Sequence, residues 1–152
     1  GIASAEAQAT IDAYFARYRG VRRFLDETVA RAREQGYVTT LLGRRRHLPD
    51  IGSRNRTLRN AAERMAVNSV IQGTAADLIK KAMLEVDRRL RDERLATRML
   101  LQVHDELVLE APERELDAAR RLVVECMEGV HPLEAPLVVD TGSGPNWVDA
   151  KA

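Results

Sequence analysis

Residues 100–110 read LLQVHDELVLE, two runs of apolar, strand-forming residues separated by His104, Asp105 and Glu106. Two such runs joined with almost no loop predict a tight β-hairpin whose turn stands at the edge of a sheet. The hairpin follows long stretches with helical periodicity, and helices followed by strands are typical of an α+β fold. On so short a turn, Asp105 is expected at a rigid, exposed tip.

The N-terminal part of the chain is predicted to be helical. Apolar residues recur at intervals of three and four from residue 4 to about residue 35, with a bend or break near Arg19-Gly20. Gly36 then supplies a helix stop. The segment YVTTLLGRRRHLPDI, residues 37–51, has β-branched and aromatic residues on both sides of a glycine and predicts a short hairpin with arginines at its tip.

A second helical stretch covers residues 57–94. Its one weak point is Gly73-Thr74, where we expect a kink, or a break with Thr74 as a new N-cap. Beyond the central hairpin, a proline opens and a glycine closes a predicted helix over residues 112–129. APLVVDTGSG, residues 135–144, predicts a last strand and a Gly-rich exit.

Length and composition bound the class of protein. A chain of 152 residues with 45% hydrophobic content can form one ordinary domain or two small lobes. It contains no apolar run of membrane-spanning length and no signal peptide, so no membrane partner is expected. The single cysteine, Cys126, is predicted to fill a core in a reducing compartment, which favours the cytoplasm. The start at Gly1, without an initiator methionine, predicts a piece of a longer protein.

The formal net charge of +1 conceals two oppositely charged segments. From residue 44 to residue 64, seven arginines oppose two acids, which leaves a local excess of +5. From residue 105 to the C-terminus, eleven acids oppose four bases, which leaves −7. The basic segment therefore predicts an anionic partner. Its arginines are Arg44, Arg45, Arg46, Arg54, Arg56, Arg59 and Arg64.

The hairpin tip could bind a metal ion. A carboxylate such as Asp105, held on a stiff turn, is a good ligand for a hard divalent cation such as Mg²⁺, and Glu106 beside it could add charge to the same site. Asp is also an ordinary turn residue, so a solvated turn is the alternative on the hairpin alone.

A polar line on the second helical stretch could contact nucleic acid. Asn60, Arg64, Asn68 and Gln72 are spaced by four and share one helix face. Their donors could pair with the acceptors that every Watson–Crick pair presents in the minor groove. Clustered arginines around GRRRHLP similarly suit phosphate contacts. A helix face turned to water and a solvated run of charge are the respective alternatives.

These three features occur together, and other chemistries lack support. The sequence has no glycine-rich phosphate loop, no Cys/His set at zinc spacing and no marked Ser or Cys nucleophile. A phosphate-binding turn, a groove-facing line and a carboxylate tip describe a protein that holds a duplex while a metal ion acts at its end.

Three segments carry a specific resemblance: TLLGRRRHLPDI, ERMAVNSVIQGTAADLIKKAM and MLLQVHDELVLEAP. In order and approximate spacing they resemble the family A DNA polymerases, the bacterial DNA polymerase I family. The chain resembles the C-terminal portion of that family nearly end to end, including its final GPNWVDAKA. The resemblance implies that residues 1–60 form the C-terminal part of the fingers subdomain. It implies that residues 61–152 form the C-terminal part of the palm, an antiparallel sheet with the catalytic hairpin.

The resemblance also implies roles for individual residues at the tip. QVHDE resembles the last palm motif of the family, so Asp105 is expected to be one of two aspartates that bind the catalytic metal ions. Glu106 is expected to be a neighbouring, less critical acid at the same site. His104 is similar to a family residue near the primer terminus.

The nucleic-acid contacts implied by the resemblance lie upstream. Arg64, Asn68 and Gln72 fall on the family helix that contacts the template strand and the minor groove of the terminal pair. Arg46 is expected to touch the template backbone. His47 stands where many relatives have Tyr in GRRRYLP, and Arg19-Gly20 stands where many have Pro after the Tyr of YFxxYP. Neither departure touches the chemistry.

The implied function is template-directed DNA synthesis in replication and repair. The primer 3′-hydroxyl attacks a dNTP in a reaction assisted by two Mg²⁺ ions, so the expected partners are primer–template DNA and dNTP. The family's first-motif aspartate and nucleotide-binding helix are expected in missing segments N-terminal to Gly1. We therefore expect this chain alone to be inactive and to self-associate through uncovered apolar surface. The alternative is a non-catalytic module that keeps only groove and phosphate contacts.

Overall fold

A computed structural model describes residues 3–151 of the chain. Helices combine with two small antiparallel sheets of two strands each, which confirms the predicted α+β class. The chain divides into two compact units, one ending at Thr74 and the other beginning at Ala75.

The first unit opens with two consecutive helices, α1 (Ser4–Arg17) and α2 (Arg19–Gln35). They are separated at Tyr18, whose φ of −106° and ψ of 62° are not helical, so the predicted break is confirmed within one or two residues. Gly36 ends α2 in the left-handed region, with φ of 76°, and its N–H reaches Ala32 O at 2.9 Å. Glycine adopts this conformation without steric cost, which explains the helix stop.

The predicted short hairpin follows directly. Strand β1 (Tyr37–Thr39) pairs with β2 (Arg45–His47) in antiparallel register, and a turn closed by the Thr40 N–H and the Arg44 carbonyl at 2.9 Å joins them. Of the three consecutive arginines, only Arg44 lies in the turn, while the other two belong to β2. A short 3₁₀ segment, Pro49–Gly52, then leads toward the next helix.

The core of the first unit is small and rich in alanine. Alanines on facing elements allow close packing because they add little bulk between backbones. Val70 packs against its edge. The buried members are Ala32, Val38, Leu48, Ile51, Ala62 and Ala66.

The sequence predicts a kink or a break at Gly73-Thr74. Helix α3 (Arg56–Asp92) is continuous over 37 residues, so the break is wrong, and the kink stays a prediction. Thr74 is not an N-cap: its hydroxyl donates to the carbonyl of Val70, four residues earlier, at 2.6 Å. Hydroxyls of Ser and Thr inside helices commonly make this bond. The glycine and the threonine therefore lie inside the helix, and their role is found in tertiary contacts.

The second unit contains the central hairpin. Strand β3 (Arg98–Val103) pairs antiparallel with β4 (Glu106–Glu110), with a bulge between Met99 and Leu101. The helix predicted after Pro112 begins as a 3₁₀ turn, Glu113–Glu115, and continues as α4 (Leu116–Glu128). The core of this unit comprises Val86, Leu90, Leu122, Val123 and Cys126, which confirms the burial of the cysteine.

The strand predicted within residues 135–144 does not form in the described part of the chain. Val139 instead donates its N–H to the Glu128 carboxylate at 3.0 Å, and Val138 is 78% exposed. A strand needs a partner for its backbone groups, and the only strands in residues 3–151 are the two hairpins. A short helix, α5 (Trp147–Ala150), was not predicted.

Between residues 3 and 151, no helix combines the length and the apolar character that are needed to cross a bilayer.

Candidate nucleic-acid interface and metal-binding tip

The β3–β4 turn places Asp105 at a constrained tip. Val103 pairs with Glu106, which leaves His104 and Asp105 as a two-residue loop. His104 has φ of 54°, in the left-handed region, and its carbonyl accepts a hydrogen bond from the Gln102 side-chain amide. This conformation is uncommon for a non-glycine residue, and strained residues of this kind cluster at functional sites as well as in tight turns. The Asp105 side chain is exposed and makes no hydrogen bond or ion pair within residues 3–151.

Glu106 has a different environment from its neighbour. Its carboxylate pairs with Lys151 Nζ at 2.8 Å, and the same ammonium lies 4.9 Å from the centre of the Trp147 ring. Both charged side chains are about half exposed, 51% for Lys151 and 46% for Glu106. Glu106 therefore has a cationic partner within the chain, whereas Asp105 has none among the described residues.

The donor chemistry at the tip suits a hard cation but is incomplete for one. Carboxylate oxygens are the ligands that Mg²⁺ prefers. In the described residues, however, no group of three or more His, Cys, Asp or Glu side chains is arranged to hold a metal ion. Asp105 and Glu106 could thus supply part of a metal site, with the remaining ligands coming from elsewhere.

The polar line on α3 is available for a partner. Arg64, Asn68 and Gln72 are exposed, and their side chains make no hydrogen bond or ion pair to any residue in the range 3–151. Asn60, the first member of the line, is half-buried. The donor groups of three side chains on one helix face therefore have no hydrogen-bond partner among the described residues.

Arg46 is brought close to this line within the first unit. Its Nη2 lies 3.3 Å from Met65 Sδ on α3, a weak acceptor. Arg46, Ser69 and Gln72 help line a cavity of about 230 Å³ between the β1–β2 hairpin and the helix. The Arg46 guanidinium and the Gln72 amide thus line one cavity, although they are 26 positions apart along the chain.

Some arginines of the basic segment make contacts within the first unit. Arg59 lies 3.9 Å from Glu63 and donates to the carbonyl of Ser53 at 3.0 Å. Arg45 lies over the Tyr37 ring, with its guanidinium carbon 4.9 Å from the ring centre. These two of the seven arginines therefore also make contacts within the first unit, which the sequence could not reveal.

Perturbed ionisable groups lie in the second unit, away from the hairpin tip in sequence. The Arg89 guanidinium donates hydrogen bonds to the carboxylates of Glu125 and Glu93, each at 2.7 Å, and these bonds raise the pKa of Arg89. Burial raises the pKa of the Cys126 thiol, and the nearby Arg89 opposes that shift only in part. These shifts follow from packing around the second core and indicate no catalytic acid or base.

The structure leaves the predicted site residues in three groups. His104, Asp105 and Glu106 share the hairpin tip, Arg64, Asn68 and Gln72 share one line, and Arg46 joins Gln72 at the cavity. Sequence reasoning missed Lys151 at the tip because nothing in GPNWVDAKA predicts its partner. It also misread the Gly73-Thr74 step, whose role depends on tertiary contacts.

Comparison with known proteins places this chain in one protein family. The sequence profile of DNA polymerase family A matches residues 1–149, and the chain belongs to that family. It is 56% identical over 146 residues to DNA polymerase I of Geobacillus stearothermophilus, covering 96% of the chain and 17% of that relative. It is 52% identical over 151 residues to DNA polymerase I of Mycobacterium tuberculosis, covering 99% of the chain and again 17% of the relative.

A solved structure has the same fold. The POL domain of Pol1 from M. smegmatis, in complex with DNA primer-template and dNTP, matches with a TM-score of 0.97 and 48% identity. The match covers 99% of this chain and 27% of that one. The chain therefore spans about a quarter of the solved relative and about a sixth of the curated ones.

Proposed function

We propose that this chain acts within a DNA polymerase I, where it helps to hold primer–template DNA and supplies a metal-binding carboxylate for template-directed synthesis. The observation that carries the proposal is an exposed, unpaired Asp105 on a strained two-residue turn, in a chain that belongs to family A. The similar Pol1 domain, solved with primer-template and dNTP, supports DNA and nucleotide as the partners.

The proposed reaction is nucleotidyl transfer. The primer 3′-oxygen forms a bond to the α-phosphorus of the dNTP, the bond to the β-phosphate oxygen breaks, and pyrophosphate leaves. When bound, two Mg²⁺ ions supply charge stabilisation for the attacking and leaving oxygens. Asp105 would hold metal with its free carboxylate, and Glu106 would contribute less because Lys151 already pairs with it.

The proposed DNA contacts use the donors that the chain leaves unpaired. Arg64, Asn68 and Gln72 would donate to minor-groove acceptors, which occupy similar positions in every Watson–Crick pair. Such contacts test the shape of a base pair without reading its identity. Arg46 would contact the template backbone, and His104 would lie near the primer terminus. In this assignment residues 1–60 belong to the fingers and residues 61–152 to the palm.

We further propose that the 152-residue chain alone does not extend a primer. The tip offers two carboxylates, one of them already paired, and the chain covers only 17% of its curated relatives. Large apolar side chains are exposed in the described residues, among them Leu84 at 73%, Ile71 at 56% and Leu100 at 54%. Exposure of this kind favours self-association. A cytoplasmic location would fit the unpaired, buried Cys126.

The test compares the full-length polymerase that contains this chain with the isolated chain. Extension of a 5′-labelled primer in Mg²⁺ and dNTP should occur with the former and not with the latter, and sedimentation at micromolar concentration should show the isolated chain as oligomers. Extension by the isolated chain would overturn its proposed inactivity, and a monodisperse monomer would overturn the self-association. A full-length protein that binds duplex without extending it would favour the non-catalytic module.

A further inference from the structure

A small network of hydrogen bonds in the first unit joins the β1–β2 turn to the middle of α3. The Thr74 hydroxyl accepts a hydrogen bond from the backbone N–H of Leu41, in the turn, at 2.9 Å. The same hydroxyl donates to the carbonyl of Val70 at 2.6 Å. The hydroxyl group of Thr74 thus donates one hydrogen bond within its own helix and accepts another from the hairpin. Leu41, Gly73 and Thr74 are named here the hairpin clamp.

Gly73 allows the close approach that this network needs. A Cβ atom at this position would lie 2.8 Å from Thr40 Cγ2 and 3.4 Å from Arg44 Nη2. The Gly73 carbonyl accepts a hydrogen bond from that same Arg44 nitrogen at 3.1 Å. The turn itself is stiff, since the Thr40 hydroxyl accepts the Arg44 N–H at 3.1 Å. A larger residue than glycine would therefore meet the Thr40 methyl group, and that side chain or the turn that carries it would have to shift.

The position of the turn decides where two proposed DNA-binding groups stand. Gln72 immediately precedes the clamp on α3, and Arg46 lies on β2, two residues beyond Arg44. Both side chains line the cavity of about 230 Å³ whose floor includes Gly73. Within the described residues strand β2 pairs with β1 alone, so the hairpin as a whole places it. The Arg46 side chain itself bonds to α3 through the weak acceptor Met65 Sδ.

We propose that Gly73 and Thr74 are positioning residues for primer–template binding: the hairpin clamp fixes Arg46 relative to Gln72, so that both engage one duplex. The proposal rests on the proposed function, because it assumes that these two side chains contact DNA. It assigns a functional reason to the Gly-Thr step inside an otherwise regular helix, where glycine is a poor choice for stability.

The first test is a pair of substitutions at Thr74 in the full-length polymerase. Thr74→Val keeps the shape and deletes the hydroxyl, so the Kd for primer–template should rise about fivefold, as for one lost hydrogen bond. The incorporation rate at saturating DNA should change by less than about twofold, because the reacting groups are untouched. Thr74→Ser keeps the hydroxyl and should restore the Kd. Thr57→Val, on the exposed first turn of α3, is the matched control and should change nothing.

A second test is independent of the hydroxyl. Gly73→Ala should weaken binding because its Cβ would meet Thr40 Cγ2. Thr40→Ser removes that methyl group and keeps the hydroxyl that accepts from Arg44, so the double variant Gly73→Ala/Thr40→Ser should recover much of the lost affinity. This pair also provides the readout if Thr74→Val fails to fold.

A double-mutant cycle distinguishes positioning from general structure. If the clamp acts through Arg46, Thr74→Val should cost much less affinity in an Arg46→Ala background than in the wild type. Full additivity, an unchanged Kd for Thr74→Val, or a Thr74→Ser variant as weak as Thr74→Val would each overturn the proposal. A wild-type polymerase that neither binds primer–template nor extends it would instead refute the proposed function, so the two failures are distinguishable.

Discussion

Removal of the donors at Arg64 and Gln72 should weaken extension without weakening the fold. Both side chains are exposed and make no hydrogen bond or ion pair within the described residues, so their loss leaves no buried group unsatisfied. Alanine is also the best helix former, which makes it a safe replacement inside α3. Any loss of activity in the full-length polymerase can then be assigned to the complex with DNA.

The size of the effect follows from the kind of hydrogen bond. A neutral amide such as Gln72 contributes about 1 kcal/mol, or about fivefold, and a charged donor such as Arg64 about 2 kcal/mol, or about thirtyfold. Both losses should apply to kcat/KM on a matched primer terminus. The ratio of matched to mismatched extension should also change, because donors that test pair geometry act differently on the two termini.

The assay is single-nucleotide incorporation on matched and mismatched termini, with thermal unfolding measured in parallel. Lys81→Ala is the matched control, since Lys81 is an exposed cation on α3 that lies off the line of Arg64 and Gln72. It should leave both rates within about twofold. Unchanged kinetics for Gln72→Ala and Arg64→Ala would show that the line is only a hydrated helix face.

Three further predictions concern the second unit. Lys151→Ala should leave the primer-extension rate within about threefold and the free energy of unfolding nearly unchanged, because a half-exposed ion pair contributes about 0–1 kcal/mol. A large loss in either quantity would show that Lys151 does more than pair with Glu106. Leu122→Ala should lower the free energy of unfolding, measured in urea, by about 2–5 kcal/mol, since the side chain is 1% exposed. A loss under about 1 kcal/mol would contradict the packing of Leu122 in the core of the second unit. Cys126 should react with a thiol reagent at pH 8 about a hundredfold more slowly in the folded chain than in urea, because burial raises the pKa of the thiol and reduces the thiolate fraction. Equal reaction rates in the two conditions would refute the burial of Cys126.

The elements that the sequence predicted well are those with strong local signals. The left-handed Gly36 ends α2, and the two apolar runs around His104-Asp105 pair as a hairpin. In each case the determining chemistry lies within a few residues, either as backbone freedom or as alternation of apolar side chains.

The errors arose where distant contacts decide the structure. The Gly-Thr step at 73–74 has the composition of a break, but the hairpin turn packs on the glycine and bonds to the threonine, and α3 continues. The segment 135–144 has the composition of a strand, yet it finds no strand partner among the described residues. The missed helix α5 is an exception, because its signal is local. The Asn146 side chain caps the helix by accepting hydrogen bonds from the N–H groups of Val148 and Asp149.

The candidate site was predictable only where its arrangement depends on residues that are close together in the sequence. Spacing by four along a helix sufficed to predict that Arg64, Asn68 and Gln72 share a line, and the short turn sufficed to predict that Asp105 is exposed. The pairing of Glu106 with Lys151 and the internal use of Arg45 and Arg59 depend on the folded chain and carry no local signal.

The central claim is that Asp105 binds catalytic metal, and Asp105→Asn in the full-length polymerase tests it most directly. The substitution keeps the size of the side chain and removes its charge, so the groove and phosphate contacts remain. Single-turnover incorporation in saturating Mg²⁺ should fall about a thousandfold, equivalent to about 4 kcal/mol of lost transition-state stabilisation, while the Kd for primer–template stays within about threefold. Incorporation within tenfold of the wild-type rate would contradict the assignment.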